Sequence, residues 1–156
     1  MTSRLYQQTP EAGTSNDILR FVITEKGETR VAITLYKSLG QKRVCLRNIL
    51  TLPSVDGEAT YGDGIDIPLW DWEAFVEKIP QVNLFLYIKC PTYFELKSHL
   101  TVFLRKDQES KMTLIIQKKA FGPQSVQMAF VRFEAESAWL LHEISKRFRD
   151  VLSSKQ

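Results

Sequence analysis

The sequence predicts an α+β fold built from two repeats, each with about four antiparallel strands followed by one helix. Apolar and polar residues alternate with a period of two along several stretches, and turns containing glycine separate them. An apolar pattern of helical period then follows the strands in each half. The order occurs twice between residues 18 and 150, which indicates an internal duplication at the level of pattern. The 156 residues, 44% of them hydrophobic, suit one compact domain with a substantial core.

The first repeat, residues 18–80, follows a polar stretch at 1–17 that we expect to be a flexible tail. Turns at 25–28 and 38–41 separate three strands of a meander, with apolar residues at Phe21, Ile23, Val31, Ile33, Leu35, Val44 and Leu46. After a loop, Ile65 and Ile67 form a short fourth strand, and Pro68 suits the first turn of a helix. One apolar face of that helix is formed by Trp72, Phe75, Val76 and Ile79, and Pro80 ends it.

The second repeat, residues 100–150, has the same order. A linker at 81–99 precedes it, and the alternation of Val82, Leu84, Leu86 and Ile88 predicts an added strand before Pro91. Three further strands are predicted by Leu100, Val102 and Leu104, by Met112, Leu114 and Ile116, and by Val126, Met128 and Phe130. The closing helix is predicted by Ala138, Leu141, Ile144, Arg147 and Phe148, and residues 151–156 are expected to form a C-terminal tail.

Charge is distributed in blocks that the net charge of +3 conceals. Residues 18–50 carry seven basic and two acidic side chains, a local net charge of +5. Residues 51–80 carry seven acidic side chains and one lysine, a net charge of −6, and residues 97–132 return to +5. The basic blocks therefore coincide with the predicted sheets, and the acidic block coincides with the first loop and helix.

One face of each predicted sheet is expected to combine cations with aromatic rings. If Val31, Ile33 and Leu35 are buried, alternation places Tyr36 on the opposite face. Cations follow phosphates and flat rings stack on unpaired bases, so this mixture favours single-stranded nucleic acid. The alternative is that the aromatics belong to the core and the cations to the solvated surface. The candidate binding residues are Arg30, Tyr36, Lys37, Lys42, Arg43, Arg47, Phe103, Arg105, Lys106, Lys111, Lys118 and Lys119.

A family resemblance begins at Gly64. The strand Gly64-Ile65-Asp66-Ile67, followed by Trp72, Phe75 and Ile79, resembles the end of the domain in the transcriptional coactivator family of positive cofactor four. The doubled arrangement is similar to the Pur-repeat and Whirly families, whose paired sheet-plus-helix units bind single-stranded DNA or RNA. The resemblance covers residues 18–79 by motif and 97–149 by pattern. It implies a curved sheet that presents basic and aromatic side chains to an unpaired strand, with the helices packed beneath.

Catalytic and metal sites are not predicted. His99 and His142 lie near no Cys or carboxylate at metal-ligand spacing, and the 56–67 segment has Ile67 where a calcium loop needs its closing Glu. Phosphate-binding glycine motifs and a nucleophile elbow are absent from the sequence. We therefore expect no enzyme activity, no catalytic residues, no metal and no cofactor. Cys45 and Cys90 are expected to be reduced thiols.

The leading hypothesis is a non-enzymatic single-stranded DNA- or RNA-binding protein that acts in transcription, replication or RNA handling. The alternative is a protein–protein interaction or assembly module on the same fold, which docks partners through the acidic segment 51–77 or an exposed strand edge. Monomer and homodimer both stay open, because a duplicated unit can close its own core or pair with a second copy. The N-terminus has no apolar signal region and no stretch is long enough to span a membrane, so the expected location is intracellular, in the nucleus.

Overall fold

The computed structural model of the protein describes residues 4–8, 16–25, 28–50, 60–108, 110–118, 130–134 and 137–154. The first sheet, sheet A, is antiparallel and contains, in chain order and in spatial order, β1 Arg4–Gln8, β2 Asp17–Glu25, β3 Glu28–Ser38, β4 Gln41–Leu50 and β5 Thr60–Pro68. Helices α1 Leu69–Glu77 and α2 Ile79–Tyr87 lead to sheet B, also antiparallel, with β6 Thr92–Leu96, β7 Leu100–Lys106, β8 Met112–Lys118 and β9 Phe130–Glu134. Helix α3 Ala138–Ser154 follows. This order confirms the α+β prediction of strands followed by helix in each half.

One hydrophobic core joins the inner faces of both sheets to the helices. The alternating residues Val31, Ile33 and Leu35 are fully buried, as their period of two predicts. Phe148 of α3 links the layers, because its ring centre lies 5.9 Å from that of Phe21 on β2 and 5.9 Å from that of Trp72 on α1. Each sheet therefore has a second face that turns away from this core.

The hairpin between β3 and β4 fixes the register of the centre of sheet A. Leu39 and Gly40 both adopt left-handed backbone angles, with φ of 50° and 79°. Two such residues form the two-residue turn that suits the twist of a hairpin, and glycine meets this need without a steric cost. The turn sets Tyr36 directly opposite Arg43.

The N-terminal segment includes a strand where the sequence predicts a flexible tail over 1–17. Strand β1 pairs antiparallel with β2, with Leu5 opposite Ile23, and Leu5 is partly buried against the core. The prediction of a tail was wrong for these residues because it relied on their polar composition. Polar residues on both sides of one apolar anchor are typical of an edge strand, which has solvent beside it.

Helix α1 begins immediately after Pro68, and Trp72, Phe75 and Val76 on its inner face are buried as predicted. Asp71 in its first turn is also buried, and its Oδ2 accepts a hydrogen bond of 2.9 Å from the backbone N–H of Ser98. A buried carboxylate is stable only when such donors satisfy it. Asp71 therefore ties α1 to the turn between β6 and β7.

The segment 81–99, predicted as a linker with a strand before Pro91, contains helix α2 and strand β6 instead. Pro80 ends α1 because proline clashes with the preceding turn, but it then occupies the first turn of α2, where its missing N–H costs nothing. The buried residues are Ile79 and Val82, and Phe85 and Leu86 are partly buried, which is a helical period. Alternation misled the prediction because nearly every residue here is apolar.

Sheet B confirms the strands predicted around Val102 and Leu114, and adds β6, which the sequence analysis missed. The third predicted strand is described only from Phe130, and its other apolar positions, Val126 and Met128, lie outside the described residues. Helix α3 continues to Ser154, beyond the predicted end at residue 150. Among the described residues, no helix is long and apolar enough to cross a membrane.

Candidate functional site

Sheet B carries a row of aromatic, aliphatic and cationic side chains on the face that turns away from the core. The strand registers place one residue of each strand directly opposite the next: Tyr93, Phe103, Ile115 and Arg132. Val102, the chain neighbour of Phe103, is fully buried, so the row faces the other way. Tyr93 is 66% exposed. We call these four residues, together with Arg105, the sheet B platform.

The two aromatic rings of the platform lie side by side and are tilted relative to each other. The ring centres of Tyr93 and Phe103 lie 6.2 Å apart, and the ring planes differ by 36°. The guanidinium carbon of Arg105 lies 4.3 Å from the centre of the Phe103 ring. A cation over a partly exposed ring stabilises the pair by about 0.5–1 kcal/mol, which holds the Arg105 guanidinium against one face of the Phe103 ring.

Basic and acidic side chains meet at one end of the platform, around a concavity of about 700 Å³. The Nη2 atom of Arg132 lies 3.7 Å from Oδ2 of Asp107. The Nζ atom of Lys111 lies 3.5 Å from Oε1 of Glu134. Such solvent-accessible pairs contribute only about 0–1 kcal/mol to stability, so a phosphate can compete for these cations at little cost.

The outer face of sheet A has a different composition, in three cross-strand rows. The first row is Asp17, Tyr36 and Arg43; the second is Arg20, Thr34, Cys45 and Asp66; the third is Val22, Ala32, Arg47 and Gly64. Together they surround a concavity of about 420 Å³ that is lined by Asp17, Arg20, Ala32, Thr34, Tyr36, Cys45, Arg47 and Asp66. We call it the sheet A concavity. It combines hydrogen-bond donors and acceptors, whereas the sheet B platform is mainly aromatic and basic.

Asp66 connects the two candidate residues Tyr36 and Arg43. The Tyr36 hydroxyl donates a hydrogen bond to Oδ2 of Asp66, and Nε of Arg43 donates one of 2.7 Å to Oδ1. Partial burial raises the pKa of the Asp66 carboxyl above its ordinary value of 3.8. Asp66 therefore orients the tyrosine ring and offsets part of the charge of Arg43.

Gly64 has a specific reason to lack a side chain. A Cβ atom at this position would lie 2.8 Å from Cγ and 3.2 Å from Nε of Arg47. The aliphatic stem of Arg47 therefore occupies the space that a side chain on β5 would fill. Gly64, the first residue of the Gly64–Ile67 motif, thus leaves room for the cationic side chain of Arg47 at the wall of the sheet A concavity.

The structure brings together some of the predicted binding residues and separates others. Tyr36, Arg43 and Arg47 share the outer face of sheet A, and Phe103 and Arg105 share that of sheet B. Three predicted lysines lie at strand ends, follow the alternation of the inward-facing residues and do not extend these faces: Lys37, Lys42 and Lys118. Lys106, at the end of β7, lines the concavity at the end of the platform together with Arg105 and Arg132. Lys111 precedes β8 beside Glu134. Arg30 lies on β3 with its side chain outside what the structure describes, and Lys119 lies outside the described residues.

Sequence reasoning missed Tyr93, Ile115, Arg132 and Arg20. Tyr93 was missed because its segment was interpreted as a linker, although the alternation of Phe94 and Leu96 with polar residues contained the signal for a strand. Arg20 lies between the buried residues Leu19 and Phe21, so alternation alone would have placed it on the outer face. Ile115 and Arg132 are identified only by the cross-strand register.

The acidic block is dispersed in the part of the chain that the structure describes. Asp66 bonds to Arg43, Asp71 is buried beneath Ser98, and residues 51–59 lie outside the described residues. Among the described residues, no group of three or more His, Cys, Asp or Glu side chains is placed to hold a metal ion. His99 lies in an exposed turn and His142 on the exposed side of α3. The absence of enzyme activity stays a prediction.

Comparison with known proteins adds no assignment: no family model, no curated protein and no solved structure matches this chain. The resemblance to the positive cofactor four, Pur-repeat and Whirly families therefore rests on residues Gly64–Ile79 and the repeated pattern. The functional interpretation rests on the two outer sheet faces.

Proposed function

We propose that this protein binds single-stranded DNA or RNA without catalysis and acts in transcription, replication or RNA handling. The observation that supports the proposal most strongly is the sheet B platform, in which Tyr93 and Phe103 present adjacent rings beside the guanidinium of Arg105. Accessible aromatic rings and nearby cations are the two elements that unpaired nucleic acid requires; here Tyr93 is exposed and Phe103 is partly exposed. The sequence hypothesis placed binding residues on both sheets; the proposal keeps that hypothesis and gives the main stacking role to sheet B.

The platform favours an unpaired strand over a duplex for a geometric reason. In a duplex the flat surfaces of the bases are already stacked on one another, so a protein ring cannot reach them without unstacking. A single strand can turn its bases onto Tyr93 and Phe103 while its phosphates lie near Arg105 and Arg132. Each stacked base contributes about 1–3 kcal/mol, and ionic contacts add a component that weakens as salt displaces them.

The test is a fluorescence anisotropy titration of labelled oligo(dT), of oligo(U) and of a matched duplex at about 50 mM and about 200 mM salt. We expect the single strands to bind more tightly than the duplex, with the logarithm of the affinity falling linearly against the logarithm of the salt concentration. Tyr93→Ala should weaken single-strand binding. Trp139→Ala on α3, a similarly exposed aromatic outside both sheets, is the matched control. Equal affinity for strand and duplex, or no binding at low salt, contradicts the proposal.

A homodimeric assembly module is the second candidate, and the observation in its favour is helix α2. Its nine residues include no charged side chain, and Leu84 and Tyr87 of the helix, with Ile88 directly after it, are exposed at helical spacing. Two copies of this face would meet without like-charge repulsion. Sedimentation velocity over a range of protein concentrations tests it: a dimer that Leu84→Glu dissociates supports the candidate, and a monomer at every concentration contradicts it.

A further inference from the structure

We infer that the sheet A concavity binds the edge of a guanine base carried by a single strand. The inference rests on the proposed function, since it assigns to sheet A a base-reading role beside the stacking role of sheet B. It concerns the 420 Å³ space above Ala32, Thr34 and Cys45, three short side chains at the centre of the sheet. The longer polar side chains that line the same space are Asp17, Arg20, Tyr36, Arg47 and Asp66.

The charges of the concavity oppose its use as a phosphate site. Carboxylates of Asp17 and Asp66 line the same space as the guanidinium groups of Arg20 and Arg47. A phosphate bound there would meet two like charges at short range. A base edge is neutral and carries donors and acceptors side by side, so it can use both kinds of group.

Guanine matches this mixture better than the other bases. Its O6 and N7 atoms are a pair of acceptors for an arginine fork, and its N1–H and N2–H groups are a pair of donors for a carboxylate. Adenine and cytosine each offer a single amino group as donor, and thymine and uracil offer a single ring N–H. Only guanine therefore supplies two donors on one edge and two acceptors on the adjacent one.

Asp66 is prepared for the acceptor role. The Tyr36 hydroxyl and Nε of Arg43 each bind one of its oxygens, which fixes the plane of the carboxylate. Each carboxylate oxygen has a second lone pair, so both can still accept from guanine. Beside Asp66 on the same strand, the absence of a side chain at Gly64 allows Arg47 to lie across β5.

The size of the concavity agrees with one base and its immediate surroundings. Binding pockets for small molecules have volumes of about 300–1,000 Å³, and 420 Å³ lies at the lower end of this range. Ala32 is only 3% exposed, whereas Thr34 and Cys45 are partly exposed. A planar base can therefore lie over Thr34 and Cys45 with its edges toward Asp66 and Arg47.

The experiment compares oligo(dT) with strands in which one central position is dG, dA or dC, by anisotropy at one salt concentration. For the wild-type protein we expect the dG strand to bind about tenfold more tightly than oligo(dT), the effect of one good bidentate contact. In Asp66→Asn the ratio of these two affinities should fall to about one, because the amide places a donor against the donors of guanine. Asp150→Asn, an exposed acid on α3, is the control and should keep the ratio. A substitution that weakens the binding of every strand equally leaves the ratio of the dG and oligo(dT) affinities unchanged, so the ratio reports only the preference for guanine.

The outcomes separate this inference from the proposed function. If all four strands bind equally and Tyr93→Ala weakens each, the proposed function stands and the guanine site is wrong. If no strand binds at low salt, the proposed function itself is wrong. Retention of the dG preference in Asp66→Asn also overturns the inference. The last measurement is the affinity of the protein for guanosine monophosphate. If this nucleotide binds as tightly as the dG strand, the site takes free nucleotides, and the inference of a guanine carried by a strand is contradicted.

Discussion

Replacement of Phe103 by leucine removes the central ring of the sheet B platform and keeps an apolar side chain in its place. Phe103 lies on the outer face of β7, so the fully buried core is not altered by the change. Its ring centre lies 6.2 Å from that of Tyr93, which is too far for one ring to take over the contacts of the other. We therefore expect the loss of one stacked base, about 1–3 kcal/mol, which lowers the affinity about 5- to 150-fold.

The assay is an anisotropy titration of labelled oligo(dT) with Phe103→Leu, with Trp139→Leu as the control for loss of an exposed aromatic elsewhere. A double-mutant cycle with Arg105→Gln adds a second criterion. Because the Arg105 guanidinium lies 4.3 Å from the Phe103 ring, the two single losses should not add, and the coupling should be about 0.5–1 kcal/mol. An affinity of Phe103→Leu within twofold of the wild-type value refutes the stacking role.

Three further predictions concern the support of the two sheets. Gly64→Ala should displace the stem of Arg47 and remove the dG preference in the strand comparison, since the new Cβ would lie 2.8 Å from Cγ. Asp71→Ala should lower the free energy of unfolding in urea by about 1–3 kcal/mol, because the partly buried N–H of Ser98 loses its acceptor. Burial raises the pKa of Asp66 above 3.8, so its contribution to stability is complete below 3.8 and is lost as the pH rises through the raised pKa. Relative to Asp66→Asn, the wild-type protein should therefore lose unfolding free energy over that pH window, measured by urea melts at stepped pH.

Each of these predictions has a contrary outcome. An unchanged dG preference in Gly64→Ala would show that the position of Arg47 does not matter for the base. Asp71→Ala should destabilise more than Glu73→Ala on the same helix, and equal effects would remove the special role of the Asp71–Ser98 hydrogen bond. A difference between wild type and Asp66→Asn that stays constant with pH would mean that the folded state does not raise the pKa of Asp66.

Alternation predicted the strands of sheet A well because their two faces differ. In β3 the large apolar residues Val31, Ile33 and Leu35 alternate with the short or polar residues Ala32, Thr34 and Tyr36, which fits a period of two. In the segment Ile79–Tyr87 apolar residues occur on nearly every side, and the same letters fit a strand or a helix. Two features favour the helix over the strand. Pro80 lies in the first turn, and Val82 packs on the core.

The candidate site was predictable only where a short turn fixes the register. The two-residue turn at Leu39 and Gly40 makes Tyr36 and Arg43 cross-strand neighbours. This pair can be identified by counting residues outward from the turn. The pairing of β4 with β5 is set across a long connection, so the place of Asp66 beside Cys45 could not be counted from the sequence. The same holds for Arg132, which reaches the platform through the pairing of β8 with β9.

The most direct test of the central claim is a ¹⁵N–¹H correlation spectrum of the protein during titration with oligo(dT). We predict that the largest shifts occur in strands β6, β7 and β8 around Tyr93, Phe103 and Ile115, with little change in helices α2 and α3. Shifts confined to the helices, or no shifts at low salt, would contradict the assignment of the outer face of sheet B as a surface for unpaired nucleic acid.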